Sequence, residues 1–171
     1  KNLHRLSTKH HVYNNNLQKR MMFSTTTNLS NTNFISIPEA ISNFDTSTFI
    51  DGSWHLSKER NAREEYEKGP RIKGAYYFDI DDVALKGDIL NPKNLPHMMP
   101  KKEMFGKVMD SFGIGESSTI VIYTTKDCPF ASRAYYTFTR LCQPSNQIYF
   151  MQGSSQEFID AGGPVELGFK K

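Results

Sequence analysis

Two thiols, Cys128 and Cys142, are the strongest potential nucleophiles in this 171-residue sequence, and their settings differ. Cys128 stands in the stretch Thr124-Thr125-Lys126-Asp127-Cys128-Pro129, where Lys126 and the start of the next helix would both favour a thiolate. Cys142 falls at the end of a helical stretch among apolar neighbours and reads as a packed core or surface thiol. The pair makes neither a disulfide framework nor a metal-ligand spacing, so a reduced, intracellular setting is expected. No metal, nucleotide or flavin site is expected, and no cofactor. Phosphate-ester chemistry of the cysteine-phosphatase kind needs five residues between cysteine and arginine, whereas only four separate Cys128 from Arg133.

The elements around these residues place a site without naming it. Thr119-Ile120-Val121-Ile122-Tyr123 is an unbroken apolar, β-branched run, the pattern of a central strand buried on both faces. Thr48–Asp51, Ala75–Phe78 and Gln147–Phe150 are further strand candidates. Lys101–Phe112, with apolar residues at 104, 105, 108, 109 and 112, carries the clearest helical period and is stopped by Gly113. Helices are also expected after Ser36-Ile37-Pro38-Glu39, over Glu59–Lys68, Ala131–Leu141 and Ser155–Ala161; Gly87–Pro100, with three prolines, must be a loop. Alternating strands and helices predict an α/β layered fold around a mostly parallel sheet. Ligands of such sheets gather where strands end and helices begin, which singles out Thr124–Pro129.

Charge divides the chain. Residues 1–38 contain five basic residues and no acid, leaving 16 basic against 18 acidic residues beyond them. The globular part is therefore not basic, and nucleic-acid binding is not expected. No stretch is long and apolar enough to span a bilayer, and no stable membrane association is expected. Residues 1–35 read as a disordered leader. Lys19-Arg20-Met21-Met22-Phe23-Ser24-Thr25 fits an organelle-import presequence, for the mitochondrion ahead of the plastid. The alternative is a tail with no address, or sequence upstream of a start at Met21 or Met22, in a cytoplasmic protein. Residues 36–168 form the expected domain, and 169–171 read as the start of an interdomain linker in a truncated chain.

An ordered set of segments then carries a resemblance. Phe49-Ile50-Asp51-Gly52-Ser53-Trp54, Arg71-Ile72-Lys73-Gly74-Ala75, Phe78-Asp79-Ile80-Asp81, Pro96-His97-Met98-Met99-Pro100, Val121-Ile122-Tyr123, Ala131-Ser132-Arg133 and Gly162-Gly163-Pro164-Val165 follow one another along the chain. Together they resemble the N-terminal domain of the tandem rhodaneses, the thiosulfate and 3-mercaptopyruvate sulfurtransferases. The resemblance implies a three-layer rhodanese-like fold, a mostly parallel sheet flanked by helices. It implies persulfide chemistry on a cysteine that follows the central strand in the second domain, with a small-molecule sulfur donor and a thiol or cyanide acceptor. The partner it implies is the C-terminal rhodanese domain of the same protein.

The position of that cysteine is occupied here by Thr124, which cannot form a persulfide, so the chain alone is expected to be inactive. Asp81 and His97 resemble the pair that the first domain contributes to proton transfer, a carboxylate orienting an imidazole. They are separated by a long polar insertion, Lys86–Asn94. Trp54, the sole tryptophan, matches a position near the interdomain pocket; Phe130, replacing the family's usual residue at the helix entry, is expected to line the cleft; Arg133 matches an arginine of the first-domain helix that anchors structure. Cys128 remains the one alternative thiol. A stand-alone, catalytically silent rhodanese-like binding module is the competing reading.

Overall fold

The computed structural model describes residues 33–87 and 89–168. Most of the expected leader and all of the expected linker lie outside the described residues. The sheet begins at Phe34, so Phe34 and Ile35, read as the end of the leader, belong to the domain.

Five parallel strands form the central sheet in the order β1-β6-β5-β2-β4. They are β1 (Phe34–Ser36), β2 (Ser47–Asp51), β4 (Tyr76–Tyr77), β5 (Thr119–Thr124) and β6 (Gln147–Ser154). The helices are α1 (Ile37–Ser42), α2 (Ala62–Lys68), α3 (Ile80–Val83), α4 (Lys102–Ser111), α5 (Ala131–Leu141) and α6 (Ser155–Asp160). A two-stranded antiparallel ribbon, β3 (Arg71–Ile72) with β7 (Val165–Glu166), closes the C-terminal segment onto the body.

Strand alternation divides the core into two layers. Val121 and Tyr123 of β5 join Ile35, Phe49, Met151, Ala40, Tyr66 and Phe158 on the α1/α2/α6 face. Ile120 and Ile122 join Ile50, Phe78, Phe105, Ala134 and Phe138 on the α3/α4/α5 face. Successive side chains of a strand point to opposite faces, so an apolar residue at every position requires cover on both. This is the three-layer α/β architecture expected from the sequence.

Local chemistry sets the helix ends. Ser36 and Glu39 form a reciprocal capping box at α1, and Ser154 and Glu157 form another at α6. Helix α2 starts at Ala62 rather than Glu59, because the Asn61 side chain accepts from the Glu64 N–H and caps the helix there. Gly113, with φ 66°, ends α4 in the left-handed region that glycine adopts without steric cost.

Arg71 ties the ribbon down. Its side chain is 4% exposed; Nε donates to Glu166 Oε1 at 2.6 Å, and Nη1 donates to the carbonyls of Tyr66, Glu67 and Gly168. Its guanidinium carbon also lies 5.2 Å from the centre of the Tyr66 ring. Arg71→Met removes one partner of a buried, charged hydrogen-bond set and should lower unfolding free energy by about 3 kcal/mol. Urea denaturation followed by circular dichroism checks this; an unchanged midpoint would mean that Arg71 holds nothing.

Candidate functional site

Strands β2 and β5 run parallel in register, with Asp51 opposite Tyr123, so the loops that follow them emerge at the same edge of the sheet. The β2 loop carries Gly52, Ser53 and Trp54. β5 ends at Thr124, and the loop beyond it carries Cys128 and Phe130 and leads into α5. Space between them is tight: a Cβ on Gly52 would stand 2.7 Å from Cβ of Ala134, which accounts for glycine there. Helix α3 and the Pro-rich loop before α4 bring Asp81 and His97 to the same edge.

Asp51 anchors this edge from below. It is 2% exposed, and burial, opposed by its hydrogen bonds to Ser53, pushes its carboxyl up to about 6. Oδ1 accepts from the Ser53 N–H at 2.9 Å. Ser53 in turn accepts from the Thr125 N–H at 2.8 Å through Oγ, and from the Tyr77 hydroxyl at 3.1 Å through its carbonyl. One buried serine therefore fastens the β2 loop to the β5 loop.

The sequence-selected residues converge above it. Nδ1 of His97 lies 2.6 Å from Oδ1 of Asp81, a close contact that lacks the alignment of a hydrogen bond. Trp54 Nε1 donates to the other oxygen, Oδ2, at 2.9 Å. The indole meets the imidazole at a centroid distance of 4.7 Å and the Phe130 ring at 5.2 Å, both edge to face. Arg133 donates through Nη2 to the His97 carbonyl, holding the backbone whose φ of 56° lies in the left-handed region. Asp81 and His97 remain open, at 53% and 30% side-chain exposure, so a second molecule or domain can reach them.

Asp81 itself does not cap α3. That task falls to Asp79, whose side chain accepts from the Asp81 N–H, so Asp81 sits in the first turn with its carboxylate free for His97. Arg63 pairs with Asp79 and Asp82, the two acids flanking Asp81, and leaves Asp81 to the indole and imidazole.

Thr124 is the last residue of β5 and is 8% exposed. The first amide beyond it is taken by Ser53, and Pro129 has no N–H, so the loop has fewer free amides than an anion cradle would use. Cys128 turns to the backbone of Trp54: its thiol donates to the carbonyl at 3.2 Å and accepts from the N–H at 3.4 Å. Cys142 lies away from this edge, lining a cleft of about 230 Å³ between the C-terminal end of α5 and α4, and burial pushes its thiol up to about 11. Among the described residues no three His, Cys, Asp or Glu side chains gather as metal ligands.

Two residues of the site escape sequence inspection. Asn91, 4% exposed, organises the polar insertion: its side chain donates to the carbonyls of Leu85 and Leu95 and accepts from the Leu95 N–H. The insertion is thus an internally bonded loop that returns the chain to His97. Ser53 is the other, and its only signal was its place directly before the tryptophan.

An open-edged parallel α/β domain with a carboxylate, an imidazole and an indole at its strand ends defines a class, and comparison with known proteins narrows it. No family model matches the sequence. A Schizosaccharomyces pombe protein named as a probable 3-mercaptopyruvate sulfurtransferase is 33% identical over 97 residues, 56% of this chain and 30% of that protein. The mitochondrial thiosulfate/3-mercaptopyruvate sulfurtransferase 1 of Arabidopsis thaliana is 31% identical over 118 residues, 68% of this chain and 29% of its own length. The crystal structure of the rhodanese-fold Escherichia coli 3-mercaptopyruvate enzyme superposes with a TM-score of 0.67 at 23% identity, covering 82% of this chain and 52% of that one. The sulfur transferase subunit of yeast mitochondrial complex I gives 0.63 at 25% identity, over 82% and 48%. The fold is the rhodanese fold, and the homologues of this chain are 3-mercaptopyruvate and thiosulfate sulfurtransferases. The chain spans about a third of the curated relatives it matches and about half of the structural ones.

Asp51 yields a pH prediction. Its folded value, about 6, lies above the ordinary 3.8, so its contribution is full below about pH 4 and is lost as pH rises through about 6. A shift of roughly two units corresponds to on the order of 3 kcal/mol. Asp51→Asn keeps the acceptor without the charge, and its stability should be flatter than wild type between pH 4 and 7 in urea titrations. Parallel curves for the two proteins would remove the assignment.

Proposed function

We propose that this chain is the first rhodanese domain of a sulfurtransferase, working with a second rhodanese domain that carries the reactive cysteine. The Asp81–His97 contact, exposed at the strand ends of a domain with no thiol at position 124, is the observation that carries this reading. The second domain's thiolate attacks the sulfur of 3-mercaptopyruvate, the carbon–sulfur bond breaks with its electrons on carbon, and the resulting enolate takes a proton. His97, oriented by Asp81, moves that proton, while Trp54 and Phe130 exclude water from the persulfide. A thiol or cyanide then accepts the sulfane sulfur. Thiosulfate is the alternative donor, and its leaving sulfite needs no proton on carbon. The segment before Phe34 would direct the protein to the mitochondrion, in keeping with the mitochondrial placement in the names of two similar proteins.

The test uses the chain joined to its second domain. Asp81→Asn and His97→Gln should each lower 3-mercaptopyruvate-dependent sulfur transfer by about 10²- to 10³-fold, a typical acid–base contribution, and affect thiosulfate turnover far less. The 171-residue chain alone should form no persulfide with either donor. Mass-spectrometric mapping of a donor-derived persulfide to Cys128 in the chain alone would overturn the reading in favour of a self-sufficient thiol. Full activity of both variants would leave a domain that only packs against its partner.

A further inference from the structure

Resting on that reading, we propose that Trp54 is a positioning residue for the Asp81–His97 pair, and that the Cys128 thiol holds Trp54 in place. Asp81 is on a short surface helix, and its half-exposed carboxylate could turn to solvent. The indole N–H takes Oδ2, which leaves Oδ1 facing the imidazole. The same ring packs edge to face on His97, so one side chain restrains both members of the pair.

Trp54 needs restraint of its own, because it lies beyond the end of β2 in a stretch without regular structure. Cys128 supplies it from a point 74 residues away in sequence, meeting both the N–H and the carbonyl of Trp54. A thiol is a weak donor and a weak acceptor. Here both capacities are spent on one residue, and the effect is to fix that residue's main chain in two directions. The preceding residue, Ser53, is held by Asp51, Tyr77 and Thr125, so the clamp acts on a segment already fixed on its N-terminal side. Phe130, two residues after Cys128, closes the far side of the indole. Cys128 thus acts through Trp54 and not as a nucleophile.

Because Trp54 is the sole tryptophan, a 15N-labelled sample of the chain gives one indole N–H resonance, and its exchange with solvent reads the hydrogen bond to Asp81. Asp81→Ala should shift that resonance and speed its exchange with solvent. Cys128→Ala should do the same, with exchange roughly five- to tenfold faster, the loss expected for a released hydrogen bond. Cys128→Ser, which keeps a donor and an acceptor, should restore most of the protection, which loss of packing alone would not explain. Backbone amides of β5 control for folding. If alanine unfolds the loop, Cys128→Val, similar in volume but without the hydrogen bonds, makes the same comparison. An indole resonance and exchange rate unchanged by Cys128→Ala or Cys128→Val, or by Asp81→Ala, would overturn the proposal. The readout involves no sulfur transfer, so its failure is distinct from a failure of Asp81 and His97 to contribute to catalysis.

Discussion

Strands β2 and β5 end level with each other, Asp51 opposite Tyr123, and a buried carboxylate sits at that joint. Every side chain of the candidate site is reached from there. Parallel pairing in register sends both following loops out of the same edge, and Asp51, through Ser53, fastens one loop to the other. Burying an acid is costly unless its lone pairs are satisfied, which is why its carboxyl is driven up and why the neighbouring amide is drawn onto it. The cost secures geometry: with the two loops joined, Trp54 and Cys128 are brought within hydrogen-bond reach of one another.

From that joint outward the site is a relay of contacts centred on Trp54, which touches both members of the pair. Ser53 places Trp54; Trp54 takes one oxygen of Asp81; Asp81 takes His97; Arg133 takes the carbonyl of His97. Each link uses a different element, so the arrangement exists only in the assembled domain. Its polar end faces outward. A pair that served this domain alone would be better shielded, since a dry environment strengthens charge interactions. Exposure of Asp81 and His97 suits a pair completed by another surface, as in the reading proposed above. The Arg71 ribbon contributes at a distance, by holding the last described residues against α2.

Much of the scaffold was legible in the residues. The β5 run, the period of α4, the whole of α5 and the capping residues of α1 appear where sequence patterns put them, because each depends on contacts within a few residues or on burial of a continuous apolar face. Of the short strands, β4 fell inside the expected Ala75–Phe78 run, but β1, β3 and β7 were not legible. β1 is three residues long and pairs with β6, more than a hundred positions later; β3 and β7 are two residues each and pair across more than ninety positions, Arg71 with Glu166 and Ile72 with Val165. Such segments have too few residues to show a period, and their partners supply the reason they are extended. Helix α2 began later than its charge pattern suggested because Asn61 competes for the helix start.

By itself the sequence determined the layered α/β class, the strand end at which a site must lie, and the absence of a thiol at position 124. These follow from periodicity, turn chemistry and residue type, all of which are local. Only the tertiary structure decided what the selected residues do with one another. Asp81 and His97 are 16 residues apart across a polar insertion, and their contact depends on Asn91 folding that insertion back. The sequence showed Cys128 beside a cation near a helix start; the fold turned its thiol to the main chain of Trp54. A thiol's neighbours in space come from another loop, and no pattern along the chain could name them.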